Sequence, residues 1–237
     1  MSDQPKTNHG RVLVVLSGGM DSTVCAALAI RDSGAANSAA LHIDYGQRTE
    51  KREHRAFQEI CDRLGIATRL AVKTEFFRAI GGSALTDETI AVPQAGPEIG
   101  AEIPVTYVPF RNSHFLSAAV SWAEILRAKK IYIGAVQQDS SGYPDCRPEF
   151  YAAFNEVVRT GTKEGQIRIE TPLIALRKSE IVSLGLELGA PFDLTWSCYS
   201  REDRACGTCD SCVLRMRAFA AAGACDPISY LTQAEAH

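Results

Sequence analysis

The sequence predicts an α/β protein built on an open parallel sheet with helices on both faces, followed by a small cysteine-rich segment. Two observations predict this fold. Short apolar runs alternate with segments of helical periodicity along most of the chain. Four of the eight cysteines then fall between Cys198 and Cys212. We therefore expect an α/β domain over residues 11–190 and a cysteine-bearing subdomain over residues 191–230.

The first strand and helix are predicted from residues 11–34. Arg11 to Leu16 (RVLVVL) is a nearly continuous apolar run, which is typical of a strand buried on both faces of a parallel sheet. Residues from about Asp21 to Ser33 contain Ala, Leu and Ile but no Pro or Gly. They predict a helix that ends at Gly34, because glycine readily adopts the left-handed conformation that closes many helices.

The same unit repeats over the next forty residues. Residues 39–43 predict a strand, residues 48–64 a helix that ends at Gly65, and residues 67–72 another strand. One face of the helix is apolar, with residues at i, i+3, i+4 and i+7: Phe57, Ile60, Cys61 and Leu64. Its charged residues fall where they can face water: Lys51, Arg52, Glu53 and Arg55. We expect this helix to pack on the sheet through its apolar face.

The second half of the sheet follows a long loop. Gly81 to Pro104 contains seven Gly and Pro residues, which interrupt any regular element. Beyond it we predict a helix over residues 113–127, a strand over 130–135, a helix over 148–159, a strand over 167–170 and a helix over 177–188.

Composition narrows the possible functions. The chain has 237 residues, of which 46% are hydrophobic, enough for one sizeable core. Its 25 basic residues are outnumbered by 28 acidic ones, so the net charge of -3 provides no electrostatic surface for direct nucleic-acid binding. No apolar run is long enough to cross a membrane, and Met1 to Gly10 lacks the apolar stretch of a signal peptide. We expect a cytoplasmic protein that acts on a small molecule.

Distinctive segments follow several predicted strands. Ligands of open parallel sheets bind at the carboxyl ends of the strands. Four segments occupy such positions: Ser17 to Gly19, Asp44 to Gly46, Gln137 to Arg147 and Thr171 to Leu173. We expect them to converge on one crevice.

The segment after the first strand has the composition of a phosphate-binding loop. The two glycines allow close approach of the main chain, and the N-terminus of the following helix favours an anion. Asp21 can hold Mg²⁺ bound to the phosphates. We assign nucleotide contacts to eight consecutive residues: Leu16, Ser17, Gly18, Gly19, Met20, Asp21, Ser22 and Thr23. The alternative is a glycine-rich turn in which Asp21 and Ser22 only cap the helix.

Two cationic residues are candidates for the same site. The loop lacks the Gly-Lys-Ser/Thr ending of the Walker type, which suggests a different cleavage of the nucleotide. Lys178, near the start of its predicted helix, is a candidate catalytic phosphate ligand together with Asp21, or a solvated charge. Arg111 precedes an apolar helix for which Asn112 is a good N-cap, and is a candidate ATP ligand or a structural residue.

The cysteines form a metal-binding pattern. Cys198, Cys206, Cys209 and Cys212 have the spacing C-x7-C-x2-C-x2-C, which suits four thiolates around one tetrahedral Zn²⁺. A four-thiolate site leaves no open position for water, so we assign it to folding. An iron–sulfur cluster and unligated cysteines at a helix start are the alternatives.

Residues 141–150 (SGYPDCRPEF) are suited to a flat polar heterocycle. Tyr143 can stack on a ring, Asp145 can accept from an exocyclic amine and a ring N–H, and Arg147 can pair with a carboxylate. The alternative is a tight turn at Tyr143-Pro144 in which Arg147 bridges to Asp145. Cys146 has a possible covalent role, but packing is the simpler interpretation.

Seven strings in one order resemble a known family. SGGMDST, DYGQR, VPFRN, SGYPDCRPEF, TPLIALRKSEI, TWSCY and CGTCDSCVLR, over about residues 11–227, are similar to the 7-cyano-7-deazaguanine synthase family of the queuosine pathway. The SGGMDS string resembles the pyrophosphate loop of the ATP pyrophosphatase superfamily, which implies an adenine nucleotide alpha hydrolase-like fold. This chain departs from the usual pattern at Thr49, Phe110 and Val136, where the family commonly has His, Gly and Asn.

The resemblance implies a reaction and its partners. ATP, with Mg²⁺, would adenylate 7-carboxy-7-deazaguanine, and ammonia would convert the adenylate to an amide. A second activation of the amide oxygen would give the nitrile. The resemblance also implies one structural Zn²⁺ per subunit and a homodimer.

Other functions share some of these motifs. Another pyrophosphate-loop amidating enzyme or a tRNA thiolase would share the first loop. A zinc-bearing binding module with a vestigial ATP loop would need a basic face, which the net charge does not favour.

Overall fold

The protein is described by a computed structural model of residues 10–96, 103–137 and 142–231. Residues 1–9, part of the predicted loop over residues 81–104, and Ser141 lie outside the described residues. Five parallel strands form a sheet with the order β3-β2-β1-β4-β5. The strands are β1 (Val12–Val15), β2 (Ser38–Asp44), β3 (Thr68–Lys73), β4 (Lys130–Ile133) and β5 (Arg168–Glu170). The predicted parallel α/β fold is confirmed.

Seven α-helices accompany the sheet in the described part of the chain. They are α1 (Met20–Ser33), α2 (Glu50–Leu64), α3 (Phe76–Ile80), α4 (Arg111–Leu126), α5 (Pro148–Gly161), α6 (Lys178–Glu187) and α7 (Asp210–Ala221). Short 3₁₀ turns occupy Ala35–Asn37, Pro144–Cys146 and Phe192–Leu194. The short α3 was not predicted.

Alternate residues of β1 point into two separate cores. Val12 and Val14 pack in one core with residues of α1, α2, α6 and α7. Leu13 and Val15 pack in the other with residues of α4 and α5. Since successive side chains of a strand face opposite sides of the sheet, helices cover both faces, as predicted.

The sheet order creates a crevice at one position. β1 pairs with β2 on one side and with β4 on the other. The chain therefore leaves neighbouring strands in opposite directions at the carboxyl ends of β1 and β4, which is where ligands bind in open α/β sheets.

The C-terminal segment packs against the rest of the fold. Phe219 of α7 lies 5.3 Å from Phe192, ring centroid to centroid, and both belong to the core on the α1 face. Arg215 of α7 is 2% exposed and makes a bidentate pair with Asp226, at 2.8 and 2.9 Å. The division of the chain near residue 190 stays a prediction.

Candidate active site

One cavity of about 280 Å³ opens at the carboxyl ends of β1 and β4. Val15 and Ile133, the last residues of these two strands, form part of its floor. Six of the residues predicted to contact ATP line it: Ser17, Gly19, Met20, Asp21, Ser22 and Arg111. Lys178 and Tyr143 also line it. The structure thus brings together residues from four distant parts of the sequence.

The loop before α1 is held in place by its own hydroxyl groups. Ser22 and Thr23 donate to the Gly19 carbonyl at 3.0 and 2.9 Å, and the Ser17 and Ser22 hydroxyls lie 3.0 Å apart. Gly19 is the N-cap of α1. The first residues of α1 line the cavity, and the N-terminus of a helix favours an anion.

Two glycines let neighbouring segments approach this loop. Gly18 has φ of +90°, and a Cβ atom there would lie 2.9 Å from the Glu53 carbonyl oxygen. A Cβ atom on Gly134, just after β4, would lie 2.7 Å from the Ser22 nitrogen. Both distances are shorter than a real carbon contact, so larger residues would displace the loop.

Leu16, Gly18 and Thr23 do not line the cavity. Leu16 and Thr23 are fully buried, and the Leu16 carbonyl accepts a hydrogen bond from His42 Nδ1 at 3.0 Å. These residues support the loop and do not line the cavity. Their direct contact with ATP stays a prediction.

Asp21 and Lys178 form an ion pair in the cavity wall. Asp21 Oδ2 accepts a hydrogen bond from Lys178 Nζ at 2.5 Å. Asp21 Oδ1 is buried and has no hydrogen-bond partner among the residues that the structure describes. An orphaned carboxylate oxygen beside a glycine-rich helix start is a ligand that fits a Mg²⁺ ion.

Arg111 provides a partly buried positive charge in the cavity lining. It is the first residue of α4, and its guanidinium donates to the Tyr45 hydroxyl at 3.0 Å. Burial alone would lower its pKa, but the neighbouring Tyr45, Tyr143 and Asp145 raise it, so Arg111 stays charged. Its Nε is buried and unbonded within the described residues, which leaves a donor for an incoming anion.

Tyr143 and Asp145 occupy different positions in the site. The Tyr143 ring lines the cavity, and its hydroxyl lies 3.1 Å from the Thr106 hydroxyl. Asp145 is buried behind the cavity, in the 3₁₀ turn Pro144–Cys146, where Oδ2 accepts the Asn112 N–H at 3.0 Å. Asn112 is the second residue of α4. Phe110 occupies the N-cap position, so the expectation that Asn112 caps this helix is wrong.

Arg147 and Cys146 also differ in their access to the cavity. Arg147 is exposed and does not line it, whereas Cys146 does. Burial raises the pKa of the Cys146 thiol to about 11, so the thiol is neutral near pH 7 and a poor nucleophile. Substrate contacts by Asp145 and Arg147 stay predictions.

Two charged residues of α2 were expected to face water, but the structure buries Arg52 and places Glu53 in the cavity lining. Arg52 is 9% exposed and lies 4.8 Å from the Trp196 ring centroid. Glu53 lines the cavity, together with Gln47 and Thr49. The expectation failed because the C-terminal segment covers this end of α2, a contact that helical periodicity alone does not reveal.

The segment predicted to follow β5 contributes indirectly. Thr171 to Leu173 does not line the cavity, and Leu173 is fully buried in the core. The segment instead leads to α6, whose first residue is Lys178. The other three predicted segments contribute cavity residues directly, which include Tyr45 after β2.

The four predicted metal ligands form one cluster. The Sγ atoms of Cys198, Cys206, Cys209 and Cys212 lie within 4.8 Å of one another. The backbone N–H groups of Thr208 and Cys209 donate to Cys206 Sγ at 3.4 and 3.3 Å. Hydrogen bonds from the other three thiols and from Thr208 lower the pKa of Cys206. Four convergent sulfurs with N–H donors fit a metal site.

The cysteine cluster is coupled to the cavity through α7. Three residues of that helix line the cavity: Ser211, Leu214 and Arg215. The Thr49 hydroxyl, also in the cavity, lies 3.3 Å from the Cys198 carbonyl oxygen.

Within the described residues, no helix is both long and apolar enough to span a membrane.

Comparison with known proteins identifies the family. A family model described as "Queuosine biosynthesis protein QueC" matches residues 11–223. A 7-cyano-7-deazaguanine synthase of Koribacter versatilis (strain Ellin345) is 72% identical over 228 residues, which cover 96% of each chain. Another, of Acidobacterium capsulatum, is 65% identical and covers 93% of this chain and 96% of its own.

A solved structure of NMN synthetase from Francisella tularensis has a TM-score of 0.45 and 19% identity, over 78% of this chain and 64% of that one. That similarity is too low to bear on the site. The family predicted from seven sequence strings is confirmed by the family model and by the two relatives. The chain belongs to the QueC family of queuosine biosynthesis proteins.

Proposed function

We propose that this chain is an ATP-dependent carbon–nitrogen ligase that converts 7-carboxy-7-deazaguanine and ammonia to 7-cyano-7-deazaguanine. The observation that carries the proposal is 72% identity, over 96% of the chain, to a protein named 7-cyano-7-deazaguanine synthase. The cavity supports it, because a glycine-rich helix start, a carboxylate–lysine pair and Arg111 meet there.

The residues of the cavity have separate roles in this proposal. N–H groups at the start of α1 and the Lys178 ammonium bind the phosphates of ATP and stabilise the charge that develops on them. Asp21 would hold Mg²⁺, which would neutralise charge on the departing pyrophosphate. Arg111 orients an anionic group, and the Tyr143 ring stacks on the heterocycle.

The reaction uses the same chemistry twice. A carboxylate oxygen of the substrate attacks the α-phosphorus of ATP, and pyrophosphate leaves. Ammonia attacks the acyl carbon, the bond to the AMP oxygen breaks, and the amide forms. The amide oxygen then attacks the α-phosphorus of a second ATP, and pyrophosphate leaves. The nitrogen loses its two protons, the C–O bond breaks, and the oxygen departs with AMP to give the nitrile.

We also propose one Zn²⁺ in the four-cysteine cluster, a homodimeric state and a cytoplasmic location. Zinc is favoured because a closed four-sulfur site has no open position and serves folding. The dimer and the location follow from the family resemblance described above.

The experiment is a product assay. The purified protein, supplied with ATP, Mg²⁺, ammonium and 7-carboxy-7-deazaguanine, is expected to give the nitrile base by mass spectrometry. Two AMP and two pyrophosphate form for each nitrile. Formation of ADP and phosphate, or no heterocyclic product, would contradict the proposal.

A further inference from the structure

Glu53 lies directly against the proposed phosphate loop and opens into the cavity. Its backbone carbonyl packs on Gly18, and its side chain belongs to the cavity lining. Neither an ATP contact nor a metal role accounts for a carboxylate here. Carboxylates repel phosphate, and the magnesium-binding role proposed above belongs to Asp21.

The hydrogen bonds of Glu53 accommodate both its charged and its neutral form. Oε2 accepts from Gln47 Nε2 at 3.2 Å, and the Gln47 amide is fixed because its oxygen accepts the Tyr45 N–H at 2.9 Å. Oε1 lies 2.6 Å from the Thr49 hydroxyl, which also lies 3.3 Å from the Cys198 carbonyl.

Thr49 allows Glu53 to keep its hydrogen bonds in both protonation states. When Glu53 is ionised, the Thr49 hydroxyl donates to Oε1. When Oε1 carries a proton, it donates to the Thr49 oxygen, and the threonine hydrogen turns to the Cys198 carbonyl. No heavy atom has to move between the two states, which is the property required of a group that takes up a proton and releases it.

The charges around Glu53 set its proton affinity. Burial raises its pKa above the ordinary value, while hydrogen bonds from Thr49 and Gln47 and the charges of His42 and Arg111 lower it in part. These groups come from β2, from the loop between β2 and α2, and from α4. A carboxylate with a raised pKa is a stronger base than an ordinary glutamate.

Ammonium is the substrate that requires such a base. At neutral pH ammonia is mostly protonated and has no free electron pair for attack. A cation also suits a carboxylate in a cavity that otherwise favours anions. This inference rests on the proposed function.

We propose that Glu53 binds ammonium in the cavity and removes its proton. Oε1 takes the proton, and the electron pair left on nitrogen forms the C–N bond to the adenylated carboxyl carbon. The C–O bond to AMP breaks, and its electron pair leaves with AMP. The remaining extra proton on nitrogen passes to solvent, and Glu53 then loses its own proton.

Glu53→Gln in the full chain tests this assignment and is expected to fold. Its amide oxygen can accept from Gln47, and its NH₂ can donate to Thr49, which donates to Cys198. The matched control is Glu59→Gln, the same change at a partly exposed position of α2 that does not line the cavity and whose ion pairs with Arg52 and Arg55 are long, at 3.9 Å. Substrate-dependent exchange of pyrophosphate into ATP, measured without ammonium, reports the adenylation step alone.

The decisive comparison is between two nucleophiles. Hydroxylamine is largely neutral near pH 7 and needs no base, so its reaction with the adenylate should be unchanged in Glu53→Gln. We expect kcat/KM for ammonium to fall by about 100-fold or more and to recover as pH rises and free ammonia increases. Glu59→Gln should match the unaltered protein.

Two results would overturn the assignment: unchanged use of ammonium by Glu53→Gln, or equal loss with both nucleophiles. Absence of pyrophosphate exchange in the unaltered protein is a separate failure. It would overturn the proposed function itself, and this inference with it.

Discussion

Lys178 Nζ lies 2.5 Å from Asp21 Oδ2, although 157 residues separate the two in sequence. Each residue is part of a helix start, Asp21 in the first turn of α1 and Lys178 as the first residue of α6. The pair places one positive and one negative charge beside N–H groups that favour an anion. It therefore joins the two halves of the proposed ATP site.

Asp21→Ala is expected to abolish pyrophosphate release while leaving the fold intact. The change removes the oxygen proposed to hold Mg²⁺ and the carboxylate that pairs with Lys178. Since one preorganised electrostatic contact is worth about 100-fold or more in rate, exchange of pyrophosphate into ATP should fall at least that far. Asp32→Ala, at the other end of α1, is the control. Full exchange in Asp21→Ala with normal circular dichroism would refute its role.

Phe110→Gly should stabilise the protein. Phe110 has φ of +57° and is 58% exposed, so its backbone is strained and its ring contributes little burial. Relief of the left-handed conformation should raise the free energy of unfolding by up to about 1 kcal/mol, partly offset by the entropy of glycine in the unfolded chain. Urea denaturation measures this. Phe110→Ala keeps the Cβ atom and should show no gain; equal gains would show that strain is not the cause.

Asp226→Asn should destabilise the C-terminal segment. Arg215 is buried and bonded to both oxygens of Asp226, and the Tyr230 hydroxyl donates to Asp226 Oδ2 at 2.6 Å. Weakening a buried ion pair on one side leaves an uncompensated charge, so the free energy of unfolding should fall by about 3 kcal/mol. Glu156→Gln, in an exposed pair with Arg159, serves as the control in the same urea titration. Similar effects of the two changes on the free energy of unfolding would contradict the stabilising role of the Arg215–Asp226 pair.

Acid should lower the free energy of unfolding, because Asp44 becomes protonated. Burial raises the pKa of Asp44, but the hydrogen bonds and charges of His42 and His54 outweigh it, and the net pKa lies below the ordinary 3.8. The folded state therefore gains stability that is fully present above that value and is lost as pH falls through the folded-state pKa. Urea denaturation at several pH values measures the free energy of unfolding. The difference in this free energy between Asp44→Asn and the unaltered protein should shrink as pH falls below this value. A difference that stays constant with pH would contradict the contribution of Asp44 to acid sensitivity.

Metal removal should damage both the C-terminal segment and the activity. The purified protein is expected to carry about one equivalent of zinc and no visible absorbance, as a closed four-thiolate site requires. Low pH protonates the thiolates, and the chelator takes up the released zinc, so helicity should fall. Activity should fall with it, because α7 forms part of the cavity wall. Full activity and helicity without metal would contradict a structural site, and visible absorbance with iron would indicate a cluster.

Elements with a strong local signal were predictable from sequence. The apolar run over residues 11–16 became β1, and Gly65 closes α2 with φ of +70° as expected. The cysteine spacing predicted four sulfurs that do lie together. These features depend on neighbours in sequence, so the sequence contains the information that determines them.

Features that depend on long-range contacts were harder to predict. The polar face of α2 resembles a solvated surface, and only the packing of residues 194–202 on it reveals that Arg52 is buried and that Glu53 lines the cavity. Asn112 looked like a helix cap because its type is common there, but Asp145 holds its N–H instead. The five-residue α3 is too short to produce a periodic pattern.

The fate of the substrate's carboxylate oxygens tests the central claim most directly. If a carboxylate oxygen attacks the α-phosphorus of ATP, 7-carboxy-7-deazaguanine labelled with ¹⁸O at both positions should transfer one label to each AMP, as seen by mass spectrometry. Unlabelled AMP, with the label recovered in inorganic phosphate or water, would contradict attack at that phosphorus and the account built on it.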